Sequence, residues 1–395
     1  MKGVYAENDH DALAKYPSGV DMSESIDALL APGLRFLLRE VCRTDQRPGA
    51  SSPPDAGLPA LFEEAKHHRI AGLLQQWLGR QRGLIVPASV SNGLNAMQHD
   101  NAVRALALLG QSQQLSSHLR RAGIDSLVVK GPLLSRRFYG DYASRHAGDV
   151  DLLVAPERAA DADGVLRQQG YVRTKPEKAL SPRRLELYLR TQHEFGYRSP
   201  QGEIPVELHW RYSDSRSLSP YSFAEIWQRS VRMEVAGEQL AVPSTADVFI
   251  HLAIHGAVDG WFRLKWIADL PRVLAGMADA EIAALLAEAS HRGVARPVAL
   301  ALELAGYQAS DAAAIFHLSA STRKILLEAV ARRLRSTDED TPGLGTKLRD
   351  TLGGYRYKMQ LVESLIICWS SAFCRRSRPS AGTGSSLTKN GITER

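Results

Sequence analysis

Apolar residues near the start of the chain recur at helical spacing. From Ile26 onward they fall three and four positions apart, as in an amphipathic helix. A stretch rich in Pro, Ser and Gly at 47–58 ends this pattern. Two more helical patterns follow at 61–78 and 95–122. The second predicts a long helix whose inward-facing apolar residues are Val103, Leu106, Leu109 and Leu115.

The pattern changes at Ile124, where short apolar runs replace the long helical stretches. Here the sequence predicts the strands 124–130, 149–154, 193–198 and 204–210, with Ser199 to Gly202 as the turn between the last two. It predicts helices between the strands at 132–139, 156–169 and 182–190. From Thr245 the pattern is helical again, with predicted helices at 245–257, 262–276, 279–291, 294–304, 310–335 and 344–373.

These elements predict an α+β fold. A small mixed β-sheet is expected to lie between helical N- and C-terminal regions. The predicted boundaries are a flexible leader at 1–25, a helical region at 26–122, the mixed core at 123–240, a second helical region at 241–374 and a disordered basic tail at 375–395.

Composition narrows the class of protein. The chain has 395 residues, 44% of them hydrophobic and 23% charged, which is ordinary for a soluble globular protein. The apolar stretch 361–374 is broken by Glu363 and several serines, so it is too polar to span a bilayer. The three cysteines show no paired spacing and follow no signal peptide, so we expect reduced thiols and a cytoplasmic location.

The basic charge of the chain is concentrated at its end. The formal net charge is +6, but residues 375–395 alone hold five Lys or Arg and one Glu. The rest of the chain is close to neutral. The overall basic charge is therefore poor support for a nucleic-acid-binding protein.

Two carboxylates stand at the start of an apolar strand. Asp149 and Asp151 are two residues apart in Gly-Asp-Val-Asp-Leu-Leu-Val. Side chains on a strand alternate between faces, so both should point to one side, about 7 Å apart. Like charges so placed repel each other unless a cation lies between them. The pair therefore predicts a divalent metal site rather than a solvated loop edge, and Mg²⁺ is commonly held by such carboxylates.

A third acid has a similar context. Glu207 lies between Val206 and Leu208 on the predicted strand 204–210. An acid with apolar neighbours on a strand faces away from them. We therefore expect a neighbouring strand to bring Glu207 beside the aspartate pair as a third metal ligand. We assign His209 to the face opposite Glu207, as a structural residue.

The order of these motifs resembles the polymerase-β-like nucleotidyltransferase superfamily. The pattern is a glycine before a helix, then Asp-x-Asp, then a distant strand carrying one acid. Finer features resemble a bacterial group of uncharacterised nucleotidyltransferases: Lys130-Gly131 ahead of a helix, Tyr139, Arg145, Glu-Leu-His-Trp and a later His-rich helix. The resemblance covers roughly residues 60–275.

The resemblance implies a Mg²⁺-dependent transfer of an NMP from an NTP, with release of pyrophosphate. Two ions are expected, with Mn²⁺ as a possible replacement, held by Asp149, Asp151 and Glu207. These three acids are the implied catalytic residues. The acceptor is not specified by the resemblance and could be a small molecule, a peptide, a protein or RNA. No membrane partner is expected.

Four residues are candidates for binding the nucleotide. They are Lys130, Gly131, Ser135 and Arg145. Gly131 permits close approach of a phosphate, but Pro132 follows where the superfamily usually has Gly or Ser, and this removes one backbone N–H. Lys130 could bind phosphate or be a solvated strand-end charge, and Arg145 could clamp a triphosphate or pair with an aspartate. Because of Pro132, an inactive nucleotide-binding or regulatory protein is the alternative.

A pair of histidines has the spacing of a zinc site. His251 and His255 are four residues apart on one predicted helix. The sequence contains no HExxH motif and no obvious third ligand nearby. We interpret both as core or pocket-lining residues. By resemblance, the segment 251–269 belongs to a helical subdomain that covers the cleft.

Overall fold

The computed structural model describes most of the chain. The described residues are 26–44, 52–55, 57–214, 216–307 and 320–336. The predicted leader at 1–25, the predicted helix at 344–373 and the predicted tail at 375–395 lie outside them.

The N-terminal region is helical as predicted. Its helices are α1 (Ile26–Leu29), α2 (Pro32–Phe36), α3 (Gly57–His67), α4 (Ala71–Arg80) and α5 (Ala88–Arg121). The helical pattern at 61–78 divides into α3 and α4, separated by a tight turn at Arg69, whose φ is 58°. A non-glycine residue rarely adopts this left-handed conformation.

The long helix α5 buries a different face from the one predicted. Leu109 and Leu115 are buried, but Val103 and Leu106 are 56% and 67% exposed. The prediction that the latter two face inward is wrong. The buried stripe consists instead of Ala105, Leu108, Ser112, Leu115 and Leu119. These residues recur three and four positions apart along one face of the helix, and Val103 and Leu106 lie outside that face.

The mixed sheet has five strands. In chain order they are β1 (Ser126–Val128), β2 (Val150–Val154), β3 (Val172–Lys175), β4 (Glu194–Arg198) and β5 (Pro205–His209). Their spatial order is β1-β2-β5-β4-β3, with β2 and β5 parallel and every other pair antiparallel. The sequence analysis did not predict β3. The predicted α+β fold with a small mixed sheet is confirmed.

The helices between the strands follow the prediction closely. They are α6 (Pro132–Tyr139), α7 (Ala159–Gln168) and α8 (Pro182–Thr191). Pro132 occupies the first turn of α6, where its missing N–H disrupts no helical bond, and Gly140 ends the helix with a φ of 88°.

A short helix and a hairpin connect the sheet to the C-terminal region. They are α9 (Phe223–Gln228), β6 (Val231–Val235) and β7 (Glu238–Val242). The sequence analysis predicted none of them. The hairpin turns at Ala236 and Gly237, both with positive φ, which is the backbone geometry that two-residue hairpins require.

The C-terminal region is also helical as predicted. Its helices are α10 (Thr245–Asp259), α11 (Leu264–Leu274), α12 (Asp279–His291), α13 (Ala295–Leu304) and α14 (Ala320–Arg335). The ring of Trp261 packs against Gly256, where a Cβ would lie 2.4 Å from the ring. A larger side chain at position 256 would therefore collide with the indole ring. Within the described residues, no helix is long and apolar enough to cross a membrane.

The two faces of the sheet belong to different hydrophobic clusters. Val150, Leu152 and Val154 of β2 pack into a cluster with α7 and the second half of α5. Leu153, on the opposite face, belongs to a larger cluster formed by the N-terminal helices together with α10–α14. The helices before and after the sheet therefore share one core, which covers the face that carries Asp151.

Candidate active site

The register of the sheet brings the predicted acids together. Asp151 of β2 pairs directly with Glu207 of the parallel strand β5. Asp149 stands just before β2, and the charge of Asp151 acts on it. Paired residues on neighbouring strands point to the same face. Asp149, Asp151 and Glu207 therefore form an acid face at one end of the central strand pair.

His209 belongs to this acid face. Its Nε2 lies 3.1 Å from Asp151 Oδ1 and 3.3 Å from Glu207 Oε2. The prediction that His209 faces away from Glu207 is wrong, because residues two apart on a strand share a face. Burial by itself would lower the pKa of His209, but its hydrogen bonds to Asp151 and Glu207 raise that pKa to about 10.

The two aspartates differ in electrostatic environment. The charge of Asp151, followed by burial and the charge of Glu207, raises the pKa of Asp149 to about 6. Asp151 is almost fully buried, which favours its protonated form, but Lys130 and His209 outweigh burial and hold the pKa of Asp151 well below its usual range. In the absence of metal, the repulsion between the carboxylates therefore disfavours the ionised form of Asp149 and not that of Asp151.

Lys130 contacts the acid face directly. Val129 N–H donates to Asp151 O at 3.0 Å, which places Lys130 at the end of β1 beside β2. The Lys130 ammonium donates to Asp151 Oδ1 at 3.4 Å, and its side chain is only 15% exposed. Burial disfavours the charged lysine, but Asp151, Glu207 and Asp149 raise its pKa. Lys130 is therefore an internal counter-ion and not a solvated charge.

Gly131 makes the turn from β1 into α6. Its φ is 81°, a conformation that favours glycine, and a Cβ there would lie 3.8 Å from Asp149 O. The turn thus runs beside the acid face. Ser135, one turn into α6, is fully buried, and its hydroxyl accepts the N–H of Arg145 at 3.1 Å.

Arg145 is bonded within the protein. Its guanidinium donates to both carboxylate oxygens of Asp269 on α11, at 2.8–2.9 Å, and both residues are buried. Burial disfavours the charged arginine, but Asp269 raises its pKa above the usual value. Tyr139 O–H also donates to Asp269, at 2.6 Å. Of the two roles considered for Arg145, the structure places it in an aspartate pair that ties the loop 141–148 to α11.

A second polar cluster continues from His209 toward β3. Glu194 pairs with His209 across β4 and β5, and its Oε2 lies 3.5 Å from His209 Nδ1. The same oxygen lies 3.1 Å from His193 Nε2, and His193 Nδ1 lies 2.6 Å from Asp214. Lys175 donates to the other oxygen of Glu194 at 2.6 Å. These residues form a connected network beside the acid face.

Helix α10 covers the acid face. His251 is buried, and both of its ring nitrogens have no hydrogen-bond partner among the described residues. Burial and the charge of Lys130 hold the pKa of His251 well below its usual range, so the ring is neutral. His255 Nδ1 lies 2.9 Å from Asp259. In the described part of the chain, His251 and His255 join no group with three metal-binding side chains.

The donor atoms suit a divalent metal. Asp151, Glu207 and His209 each place one ligand atom within 4.8 Å of the others, and His193, Glu194 and His209 do the same. The carboxylates of the acid face are the hard oxygen ligands that Mg²⁺ prefers, and an imidazole nitrogen is also acceptable to Mn²⁺. Lys130 and His209 both contact the Asp151 carboxylate. A bound metal cation would compete with them for this carboxylate.

The sequence analysis missed several residues of this site. The contribution of His209 could have been found by counting two residues from Glu207 along the strand. Glu194 and His193 gave no usable signal, since their position beside His209 depends on the pairing of β4 with β5. Lys265 lies in the segment 251–269 that the resemblance assigns to a helical subdomain, and its charge acts on Asp149.

Comparison with known protein families agrees with this geometry. Residues 54–307 match the family model described as uncharacterised nucleotidyltransferase. A search of curated proteins and a search of solved structures each found no match. The matched segment runs from α3 to the end of α13 and includes the whole acid face. The chain belongs to this family of nucleotidyltransferases.

Proposed function

We propose that the protein is a Mg²⁺-dependent enzyme that transfers an NMP from an NTP to an acceptor and releases pyrophosphate. The observation that carries this proposal is the direct pairing of Asp151 with Glu207 on parallel strands, with Asp149 beside them. The family membership supports it. Three carboxylates on one covered face match the ligand set that such a transfer needs.

Asp149, Asp151 and Glu207 would hold the metal. When bound, Mg²⁺ would neutralise charge on the reacting phosphates and on the leaving pyrophosphate. Two ions, or Mn²⁺ in their place, are part of the same proposal. His209 lies on the same face and donates to two of the three acids, so it would restrict where those acids can point.

The remaining residues of the site would bind the NTP and accept a proton during the transfer. The acceptor oxygen or nitrogen attacks the α-phosphorus, the bond to the β-phosphate breaks, and Glu207 accepts the acceptor's proton. Lys130 would move from Asp151 to a phosphate oxygen, and the backbone at Gly131 would allow the phosphate to approach. Ser135 and Arg145 would contribute by holding the loop 141–148, because their polar groups are bonded to each other and to Asp269.

An inactive nucleotide-binding or regulatory protein is the second candidate. The observation in its favour is Pro132, which supplies no N–H to a phosphate at the first turn of α6. The intact set of carboxylates favours the enzyme. The acceptor (small molecule, peptide, protein or RNA) and the cytoplasmic location remain expectations from the sequence.

An NTP that is isotopically labelled at either the α- or the γ-phosphate tests the proposal directly. The full chain is incubated with Mg²⁺, a bacterial extract as the source of acceptor, and each NTP labelled in turn at the α- or γ-phosphate. We expect the α-label to appear in a product and the γ-label in pyrophosphate, with neither change in Asp149→Asn. Incorporation of the γ-label would show phosphoryl transfer, and no incorporation with any NTP would favour the inactive alternative.

A further inference from the structure

Four basic side chains from separate elements lie around the loop that leads to Asp149. They are Arg69 on the turn between α3 and α4, Arg104 on α5, His146 on the loop before Asp149, and Lys265 on α11. We call this group the basic pocket. Lys265, Arg69 and Arg104 each act electrostatically on His146, and Lys265 also acts on Asp149.

Hydrogen bonds between backbone and side-chain groups hold these elements in place. Lys265 N–H donates to His68 O at 3.3 Å, which joins the first turn of α11 to the turn at Arg69. Arg104 donates to Gly148 O at 3.2 Å, next to Asp149. Gln76 donates to Ser144 Oγ at 2.6 Å, so the loop that carries His146 is also fixed to α4. The basic pocket is therefore built by the packing of the helices and is not a chance cluster on a loose surface.

The charged groups of the basic pocket make no ion pair with an acid of the described residues. Among the described residues, the Lys265 ammonium and the Arg69 guanidinium make no ion pair, and His146 Nδ1 is buried without a hydrogen bond. The nearest acid on α11, Asp269, is occupied by Arg145. Burial and the charges of Arg145 and Arg69 lower the pKa of Lys265 to about 7, and they outweigh the opposite effect of Asp269 and Asp149. Burial and the three neighbouring cations lower the pKa of His146 to about 3, so its ring is neutral. Lys265, Arg69 and Arg104 are then like charges held close together, which favours the binding of an anion.

We propose that the basic pocket binds the β- and γ-phosphates of the NTP, and hence the pyrophosphate that leaves. This inference rests on the proposed nucleotide transfer. A polyphosphate matches several cations beside a metal-binding acid, because its linked negative charges can contact these cations and, when metal is bound, the metal as well. Side chains from the surrounding helices would thereby replace the phosphate-binding N–H that Pro132 removes from the first turn of α6.

The backbone of Arg69 supports this assignment. Its φ of 58° is unfavourable for a residue with a Cβ, and glycine would adopt it more easily. Strained positions of this kind are often kept where the side chain has a function. Arg69→Gly therefore separates phosphate binding from fold stability. It should remove a phosphate contact while leaving the stability of the fold unchanged or higher.

The test is metal-free calorimetric binding of inorganic tripolyphosphate and pyrophosphate to the full chain. We expect Lys265→Ala and Arg69→Gly each to weaken tripolyphosphate binding about tenfold or more. Lys66→Ala, which removes one positive charge from an exposed pair with Glu63, is the matched control and should bind as the wild type does. Lys265→Met keeps the aliphatic stem and should show the same loss if the alanine variant is poorly folded.

Wild-type affinity for tripolyphosphate in Lys265→Met and Arg69→Gly would overturn this inference, even if the α-label transfer described above succeeds. Loss of affinity in these variants without any transfer by the wild type would retain the basic pocket as a polyphosphate site and reject the proposed enzyme. An equal loss in Lys66→Ala would also overturn it, because binding would then follow only the overall charge.

Discussion

His209 Nε2 lies 3.1 Å from Asp151 Oδ1, across the parallel pair of strands β2 and β5. The same nitrogen lies 3.3 Å from Glu207. A protonated imidazole at this point partly neutralises two of the three carboxylates that we assign to the metal. The protein therefore has its own cation on the acid face, and metal binding must compete with it.

His209 should stabilise the metal-free protein in a pH-dependent way. Its folded pKa, about 10, is above the ordinary value of 6.5. The stabilisation is therefore fully present below pH 6.5 and is lost as the pH rises through 10. We expect His209→Gln to lower the free energy of unfolding at pH 7 by about 1.5–3 kcal/mol, as for a charged hydrogen bond. Urea unfolding of both proteins between pH 6 and 10 measures this difference, which should shrink as the pH rises; a constant difference would contradict it.

Asp149 should destabilise the metal-free fold when it is ionised. Its folded pKa, about 6, is above the ordinary value of 3.8, so stability is lost as the pH rises through 6. We expect Asp149→Asn to melt at the wild-type temperature at pH 4 and above it at pH 8. Mg²⁺ should raise the melting temperature of the wild type only, and the variant should have no transferase activity. Retention of more than a tenth of the activity would remove Asp149 from the metal site.

Asp151, unlike Asp149, should stabilise the metal-free fold when it is ionised. Lys130 and His209 lower its pKa despite burial, so its charge stabilises the fold at pH values above its ordinary pKa. We expect Asp151→Asn to lower the metal-free melting temperature at pH 7 and to abolish activity. The two variants thus differ in the sign of their stability change. If Asp151→Asn melted above the wild type, the ion pairs with Lys130 and His209 would not be stabilising.

Lys130 should affect nucleotides with long phosphate chains most strongly. If Lys130 leaves Asp151 to bind a phosphate, Lys130→Ala should weaken NTP binding by about 1.5–3 kcal/mol in Mg²⁺ and NMP binding much less. Pro132→Ser restores a backbone N–H and should partly rescue the affinity. Titration calorimetry of the single and double variants gives these values. Equal NTP affinity in the wild type and Lys130→Ala would leave Lys130 as a counter-ion of Asp151 alone.

The buried pair of Arg145 with Asp269 should be a structural requirement. Removing one partner leaves an uncompensated buried charge, so Arg145→Met or Asp269→Leu alone should cost about 3–5 kcal/mol of stability. The double variant should be more stable than either single variant, because it leaves neither charge exposed to the apolar interior. Denaturant unfolding of the three proteins measures this coupling. A stable Arg145→Met protein that has lost NTP affinity would instead support a direct phosphate clamp.

The sequence by itself determined the local elements of the site. Alternation in Gly-Asp-Val-Asp-Leu-Leu-Val is enough to place two acids on one face of a strand, and Gly131-Pro132 is enough to start α6. Helical periodicity predicted most of α10–α13 within a few residues. These features depend on neighbours in the chain, which is why they could be predicted without the fold.

The tertiary structure decided which of these elements meet. The parallel pairing of β2 with β5 brings Glu207 beside Asp151, and the pairing of β4 with β5 brings Glu194 to His209. Packing also determines which face of α5 is buried, and it leaves Val103 and Leu106 exposed. Arg145 forms its ion pair with Asp269, which is 124 residues away in the sequence. Local periodicity does not specify such contacts, because strand register and helix packing are set by the whole core.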